Sequence, residues 1–228
     1  MIPQLNKYDF YFPDPTQANN DGIVAWGGDL NPSRVLKAYQ MGIFPWYNPQ
    51  DPILWWSPSP RLIMELDDFK QSKSLKKSIK KFTYKFDTNF KEVIQKCASV
   101  KRSQQEGTWI DNEMIECYEV LHFTGAAHSC EAYNDGKLVG GLYGVVVGGV
   151  FCGESMFSEM SDASKSAFAI LIRHLKKWQY DFVDAQVPTP HLQSLGAKEV
   201  AREYFLGRLQ DSIKNQKQHP WEIDTNLL

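Results

Sequence analysis

A chain of 228 residues with 43% hydrophobic and 23% charged side chains can bury one large core or two smaller ones, which excludes a disordered or fibrous protein. No stretch approaches the roughly 20 consecutive apolar residues of a membrane-spanning helix, and the opening MIPQLNKYDFYF has neither a basic leader nor a continuous apolar run, so a cytoplasmic protein with no membrane partner is expected. The net charge of −2 argues against a nucleic-acid partner on the sum alone, which leaves the distribution of charge to decide.

The first sixty residues are rich in proline, glycine and aromatic rings. One helix is predicted there, with Asn31 as N-cap, Pro32 at its first position and Gly42 just past its end. Around it, FPDP, GIFPWYNP and WWSPSP set bulky rings beside prolines, which predicts rigid loops. A small N-terminal domain, residues 1–61, is expected to precede a larger one over 62–228. RLIMEL suits a strand, and Leu75, Ile79 and Phe82 predict an amphipathic helix over 70–82 whose other face carries Lys73, Lys76, Lys77, Lys80 and Lys81. Further helices are predicted over 88–98 and from Asp111 to Gly125. AHSCEAY, KLVGGLYGVVV and VFCGESMF, separated by turns at Asp135-Gly136 and Gly148-Gly149, predict consecutive antiparallel strands. A long helix from Asp162 to Trp178, the strand YDFVDAQV, a short helix after Thr189-Pro190, and a closing strand and helix complete an α+β sheet domain.

Strand alternation puts Asp184 and Gln186 on one side of YDFVDAQV, where Asp184 can hold the Gln186 carboxamide and aim its oxygen at a substrate; a solvated strand face is the competing reading. The same alternation groups Cys152, Glu154 and Met156 opposite Phe151 and Phe157. Glu154 is then either a carboxylate that needs a cation or donors, or an edge charge in water. Trp46 and Trp109, both predicted in loops, can sandwich a flat ring or anchor one domain to the other. Residues 69–86 hold seven lysines and no acid, an asymmetry that suits a phosphate backbone as well as a solvated face. The five histidines lack metal-site spacings, no P-loop or nucleophile elbow occurs, and Cys97, Cys117, Cys130 and Cys152 show no CxxC pairing; no metal or cofactor is expected, and the thiols are expected to be unbridged in a reducing compartment.

Taken in order, GGDL, AYQMGIFPWYNP, PILWWSPSPR, EGTWI, AHSCE, LVGGLYG, FCGESMFS, ASK, DAQ and HLQSLGA resemble the bacterial leucyl/phenylalanyl-tRNA protein transferases over roughly residues 10–205. The resemblance implies a C-terminal domain similar to the GCN5-type N-acetyltransferase fold. It also implies transfer of Leu or Phe, and less efficiently Met, from aminoacyl-tRNA to proteins with N-terminal Arg or Lys, creating an N-terminal degradation signal. It implies that Trp46 and Trp109 flank the terminal adenosine, and that Leu142, Phe151, Met156, Phe168 and Leu171 line or adjoin the side-chain pocket. It implies that Asp184 and Gln186 act on the attacking amine, that Glu154 is the acidic residue of the GESMFS motif, and that the lysine helix belongs to the tRNA surface. Aminolysis of an activated ester is downhill, so the expected task is alignment of a partly neutral amine with the carbonyl. Two alternatives remain: an acyl-CoA-dependent N-acetyltransferase, although SEMSDASKSA lacks the glycines of a pyrophosphate turn, and a non-catalytic RNA-binding module.

Overall fold

The computed structural model describes residues 1–100 and 109–228, and it turns much of the proline-rich N-terminal stretch into a small sheet. Strands β1 (Gln4–Leu5), β2 (Ile23–Gly27), β3 (Phe44–Pro45) and β4 (Leu54–Trp56) lie in the order β1-β2-β4-β3. They are too short to show a two-residue period, and Pro45 fits because β3 is an edge strand that can spare a donor. Between β2 and β3 runs α1 (Pro32–Gln40), where the Asn31 side chain accepts the Ser33 N–H at the predicted N-cap.

Strand β5 (Arg61–Glu65) opens a second sheet. Helix α2 (Lys73–Ile79) is shorter than the predicted 70–82: the Ser72 hydroxyl accepts the Leu75 N–H at its start. Lys80 and Lys81 lie past its end, and β6 (Thr83–Phe86) follows with strictly alternating burial. Next come α3 (Phe90–Ser99) and α4 (Asn112–Phe123), the latter capped by Asp111 through the Met114 N–H as predicted. The predicted meander is β7 (Ala127–Asn134), β8 (Lys137–Val147) and β9 (Val150–Ser158). Helix α5 (Ala163–Lys177), β10 (Phe182–Gln186), α6 (Pro190–Ser194), β11 (Lys198–Val200) and α7 (Arg202–Ile213) complete the α+β pattern.

The large sheet has the order β11-β5-β10-β9-β8-β7-β6. Its β9–β10 pair is parallel, as the α5 crossover between them requires, and its other pairs are antiparallel. One face is covered by α2 and α5 through Leu75, Ile79, Phe168 and Ile172. The opposite face packs on α3, α4 and α7 and continues without a break into α1 and the small sheet, from Met114 and Phe205 to Tyr39 and Trp55. The four cysteines are buried thiols. Among the described residues no helix is long and apolar enough to cross a membrane.

Two bulges interrupt the alternation of side chains at the centre of the large sheet. In β9, Gly144 of β8 faces Gly153 and Tyr143 faces Ser155, so Glu154 is an extra residue. In β10, Asp184 faces Ile63 of β5 and Gln186 faces Leu62, so Ala185 is extra. Beside the first bulge a side chain on Gly144 would set its Cβ 2.3 Å from the Cys152 carbonyl oxygen and 2.6 Å from the Phe151 ring. Gly144→Ala is therefore expected to destabilise the fold by about 1–3 kcal/mol, read from the midpoint of urea unfolding.

Candidate active site

The parallel pairing of β9 and β10 runs from Val150↔Phe182 to Cys152↔Asp184 and stops. Past that point each strand carries its bulge, the strands part, and a cavity of about 470 Å³ opens between them. Leu142, Phe151, Met156 and Phe168 supply an apolar wall, while Trp46, Trp109 and Phe44 stand on the side of the small sheet and α4. Glu154 and Gln186 give the cavity a polar edge, with Thr189 and His191 near α6. A chamber of this size, apolar with few polar groups, is the usual form of a small-ligand site.

The polar edge differs from the arrangement that strand parity predicts. Gln186 has φ +61°, and its carboxamide Nε2 donates to Glu154 Oε1 at 2.6 Å rather than to Asp184. Glu154 Oε2 accepts from the Tyr118 hydroxyl at 3.1 Å, and the Tyr39 hydroxyl is hydrogen-bonded to that of Tyr118. Asp184 is wholly buried, outside the cavity lining. Its two oxygens meet Arg61 Nε at 2.8 Å and Nη2 at 2.6 Å, and Oδ1 also accepts the backbone N–H of Gln186 at 3.0 Å. The grouping of Cys152, Glu154 and Met156 on one face also fails, because the extra residue at Glu154 reverses the alternation: Cys152 and Phe157 pack in one core, Phe151 and Met156 against the other.

Burial of the carboxyl pushes Glu154 up to about 7, against the lowering effect of the neighbouring Tyr39 hydroxyl and of its Tyr118 and Gln186 donors. Burial also raises the Tyr39 and Tyr118 hydroxyls well above the usual range, so both remain neutral donors. The edge is thus a carboxylate that changes charge near neutrality and is held by fixed neutral groups.

Trp46 is half-buried and Trp109 buried. The Trp56 indole N–H donates to the Trp46 carbonyl at 2.5 Å, and the Tyr47 hydroxyl donates to Asp111 at the cap of α4 at 3.0 Å. The first bond fixes Trp46 within the small sheet, and the second ties its segment to the one that carries Trp109. The part of EGTWI that precedes Trp109 falls outside the described residues. Leu171 is buried in α5 and is not part of the lining. Lys73, Lys76, Lys77, Lys80 and Lys81 are exposed and stand apart from the cavity. Near the start of α2 a second, polar cleft of about 510 Å³ includes Lys70, Ser72, Lys165 and Ser194; α6 forms a wall of both spaces, through His191 and Leu192 on one and Ser194 on the other.

Arg61, Tyr39 and Tyr118 are absent from the sequence-based site. Arg61 and Tyr39 do lie in two of the motifs quoted above, PILWWSPSPR and AYQMGIFPWYNP, whereas Tyr118 sits in an ordinary amphipathic helix that gives no signal. The structure also gathers Asp87, His122 and His128, whose ligand-type atoms lie within 4.8 Å of one another, a grouping that sequence spacing does not reveal. Both His128 nitrogens are engaged, with Asp87 at 2.7 Å and the Gly125 carbonyl at 3.1 Å, and His122 Nδ1 faces the Ala127 carbonyl at 2.9 Å. The cluster is a hydrogen-bonded clamp between β7, the turn after β6 and the end of α4.

Comparison with known proteins adds an independent line. The family model described as leucyl/phenylalanyl-tRNA protein transferase matches residues 63–210, and that of its N-terminal domain matches residues 28–59. A leucyl/phenylalanyl-tRNA–protein transferase of Sulfurimonas denitrificans (strain ATCC 33889 / DSM 1251) is 66% identical over 223 residues, covering 98% of this chain and 98% of its own. One of Legionella pneumophila (strain Corby) is 50% identical over 218 residues, covering 95% and 98%. Among solved structures, L-PGS from Bacillus licheniformis shares 13% identity over 68% of this chain and 50% of its own, with a TM-score of 0.41.

Proposed function

The chain belongs to the leucyl/phenylalanyl-tRNA protein transferase family, and from that premise we propose how its cavity passes an aminoacyl group from tRNA to a protein. The enzyme is a tRNA-dependent aminoacyltransferase. The observation that carries the site assignment is the cavity itself, an apolar chamber closed by one polar edge at Glu154 and Gln186.

In this reading the Leu or Phe side chain of the donor, and less efficiently that of Met, occupies the wall of Leu142, Phe151, Met156 and Phe168, with Leu171 supporting Phe168 from within α5. Trp46 and Trp109 flank the terminal adenosine, and the exposed lysines of the α2 region meet the tRNA phosphates. The acceptor's α-amine approaches the ester at Gln186. The amine nitrogen bonds to the carbonyl carbon, the bond to the tRNA 3′-oxygen breaks, and that oxygen leaves as a hydroxyl, with the proton lost by the amine balancing the one it gains. Alignment is the main contribution required, since the ester is already activated. Asp184 serves the step from behind, through the backbone of Gln186. Glu154, ionised above about pH 7, attracts the cationic end of acceptors that begin with Arg or Lys, and the product carries a new N-terminal residue that marks the protein for degradation. Charged tRNA and such acceptors place the reaction in the cytoplasm.

Purified protein, charged Leu-tRNA and peptides beginning with Arg, Lys or Ala test this reading. Leu-Arg- and Leu-Lys-peptides are the expected products by mass spectrometry. Equal transfer to the Ala peptide would remove the acceptor assignment, and absence of any product would remove the site. Trp46→Ala is expected to raise the KM for Leu-tRNA by about 5- to 100-fold with little change in kcat, since a base–aromatic stack contributes about 1–3 kcal/mol.

A further inference from the structure

We infer that Arg61 is a positioning residue of the transfer site, holding Gln186 in register through Asp184. The inference rests on the reading that Gln186 meets the attacking amine, and it gives that residue a structural cause.

Gln186 adopts φ +61°, a backbone region that residues other than glycine avoid, and a bulge immediately precedes it. What holds it there is the Asp184 carboxylate, which accepts the Gln186 N–H at 3.0 Å. Asp184 can do this only if its own orientation is fixed, and Arg61 fixes it with two parallel bonds of 2.8 and 2.6 Å. Arg61 is itself immobilised. It is 1% exposed, its carbon CZ lies 4.3 Å from the Phe205 ring centroid and 4.8 Å from that of Phe44, and Nη1 donates to the Gly42 carbonyl at 3.2 Å. With the backbone turned in this way, the Gln186 carboxamide reaches Glu154. The Gly42 carbonyl belongs to the turn that leads into Phe44 and Trp46, on the opposite wall of the cavity. One guanidinium therefore ties the tryptophan wall to the polar edge. A lysine ammonium, a point charge without a planar fork, cannot hold both carboxylate oxygens and the Gly42 carbonyl together.

The test is steady-state transfer of Leu from Leu-tRNA to an Arg-initiated peptide by wild type, Arg61→Lys, Gln186→Ala and the double variant, each first shown to be folded at the assay temperature by circular dichroism. Arg61→Lys is expected to lower kcat by about 10- to 100-fold with the KM for Leu-tRNA little changed. The double variant is expected to be no slower than Gln186→Ala alone. The pH midpoint of transfer in Arg61→Lys should move upward, because Glu154 loses the Gln186 donor that lowers it. An unchanged kcat and pH profile in Arg61→Lys, or losses that multiply in the double variant, would overturn the inference. Wild-type activity in Gln186→Ala would instead remove the role of Gln186, while the pH midpoint of Arg61→Lys still reports whether Arg61 sets its position. If Arg61→Lys does not fold, Asp184→Asn, nearly isosteric, carries the same arms: a kcat loss absent in the Gln186→Ala background supports the link, and an equal loss in both backgrounds refutes it.

Discussion

Asp184→Ala is expected to lower the unfolding free energy by about 3–5 kcal/mol, the usual cost of leaving one member of a buried ion pair without its partner. Arg61 and Asp184 are each about 1% exposed, so the substitution leaves the guanidinium away from bulk solvent without its counter-charge. The Gln186 N–H loses its acceptor as well. Urea unfolding at constant pH measures the loss, and a variant within about 1 kcal/mol of wild type, inside the range of exposed pairs, would show that the pair does not hold the strands together. A paired control sharpens the result. Asp184→Ala combined with Arg61→Met removes both charges and keeps an apolar side chain between Phe44 and Phe205, so much of the stability should return while transfer stays impaired. That separation is what distinguishes a pair that positions Gln186 from one that merely supports the fold.

The elements most legible in the sequence were those set by local rules. Asn31 and Asp111 each accept an N–H of the first helical turn, and the meander of β7 to β9 follows from glycine turns between runs of apolar residues. The small sheet was not legible, because strands of two to five residues separated by prolines show no period. Helix α2 ended early because β6 takes Thr83–Phe86 into the sheet beside β7, a tertiary demand that outweighs helical spacing. At the site, the residue types were legible and their geometry was not. Trp46, Trp109, Leu142, Phe151, Met156 and Phe168 meet around one cavity although they come from loops, strands and a helix far apart in sequence. Strand parity misplaces Glu154 and Gln186 because each strand inserts one residue there, and a period of two cannot register an insertion. The Arg61–Asp184 bond spans 123 positions and joins two neighbouring strands of the large sheet, so only the topology reveals it.

Glu154→Gln should separate two consequences of the same half-buried carboxyl. Folding lifts this group from about 4.5 to about 7, so the folded protein holds the proton more tightly than the unfolded chain. Its contribution to stability is complete below about pH 4.5 and is lost as pH rises towards 7. Relative to Glu154→Gln, the wild type should therefore lose stability across that window, which paired urea titrations at pH 4.5 and 8 can read; parallel pH dependences would mean that the carboxyl is not desolvated. For transfer the sign is reversed. The ionised form that strains the fold is the one that attracts an Arg or Lys acceptor, and a hydrogen bond to a charged group contributes about 1.5–3 kcal/mol. Glu154→Gln should accordingly reduce kcat/KM for the Arg-initiated peptide by about 10- to 100-fold at pH 8 and leave the Ala-initiated peptide nearly unchanged. The wild-type profile should rise through about pH 7 with Glu154 and again with the acceptor amine near 7.7–8.0. The variant should keep only the second rise. Equal losses for both peptides would assign Glu154 to holding Gln186 and not to reading the acceptor, because loss of a charge that reads the acceptor weakens only the cationic peptide, whereas a displaced Gln186 weakens both.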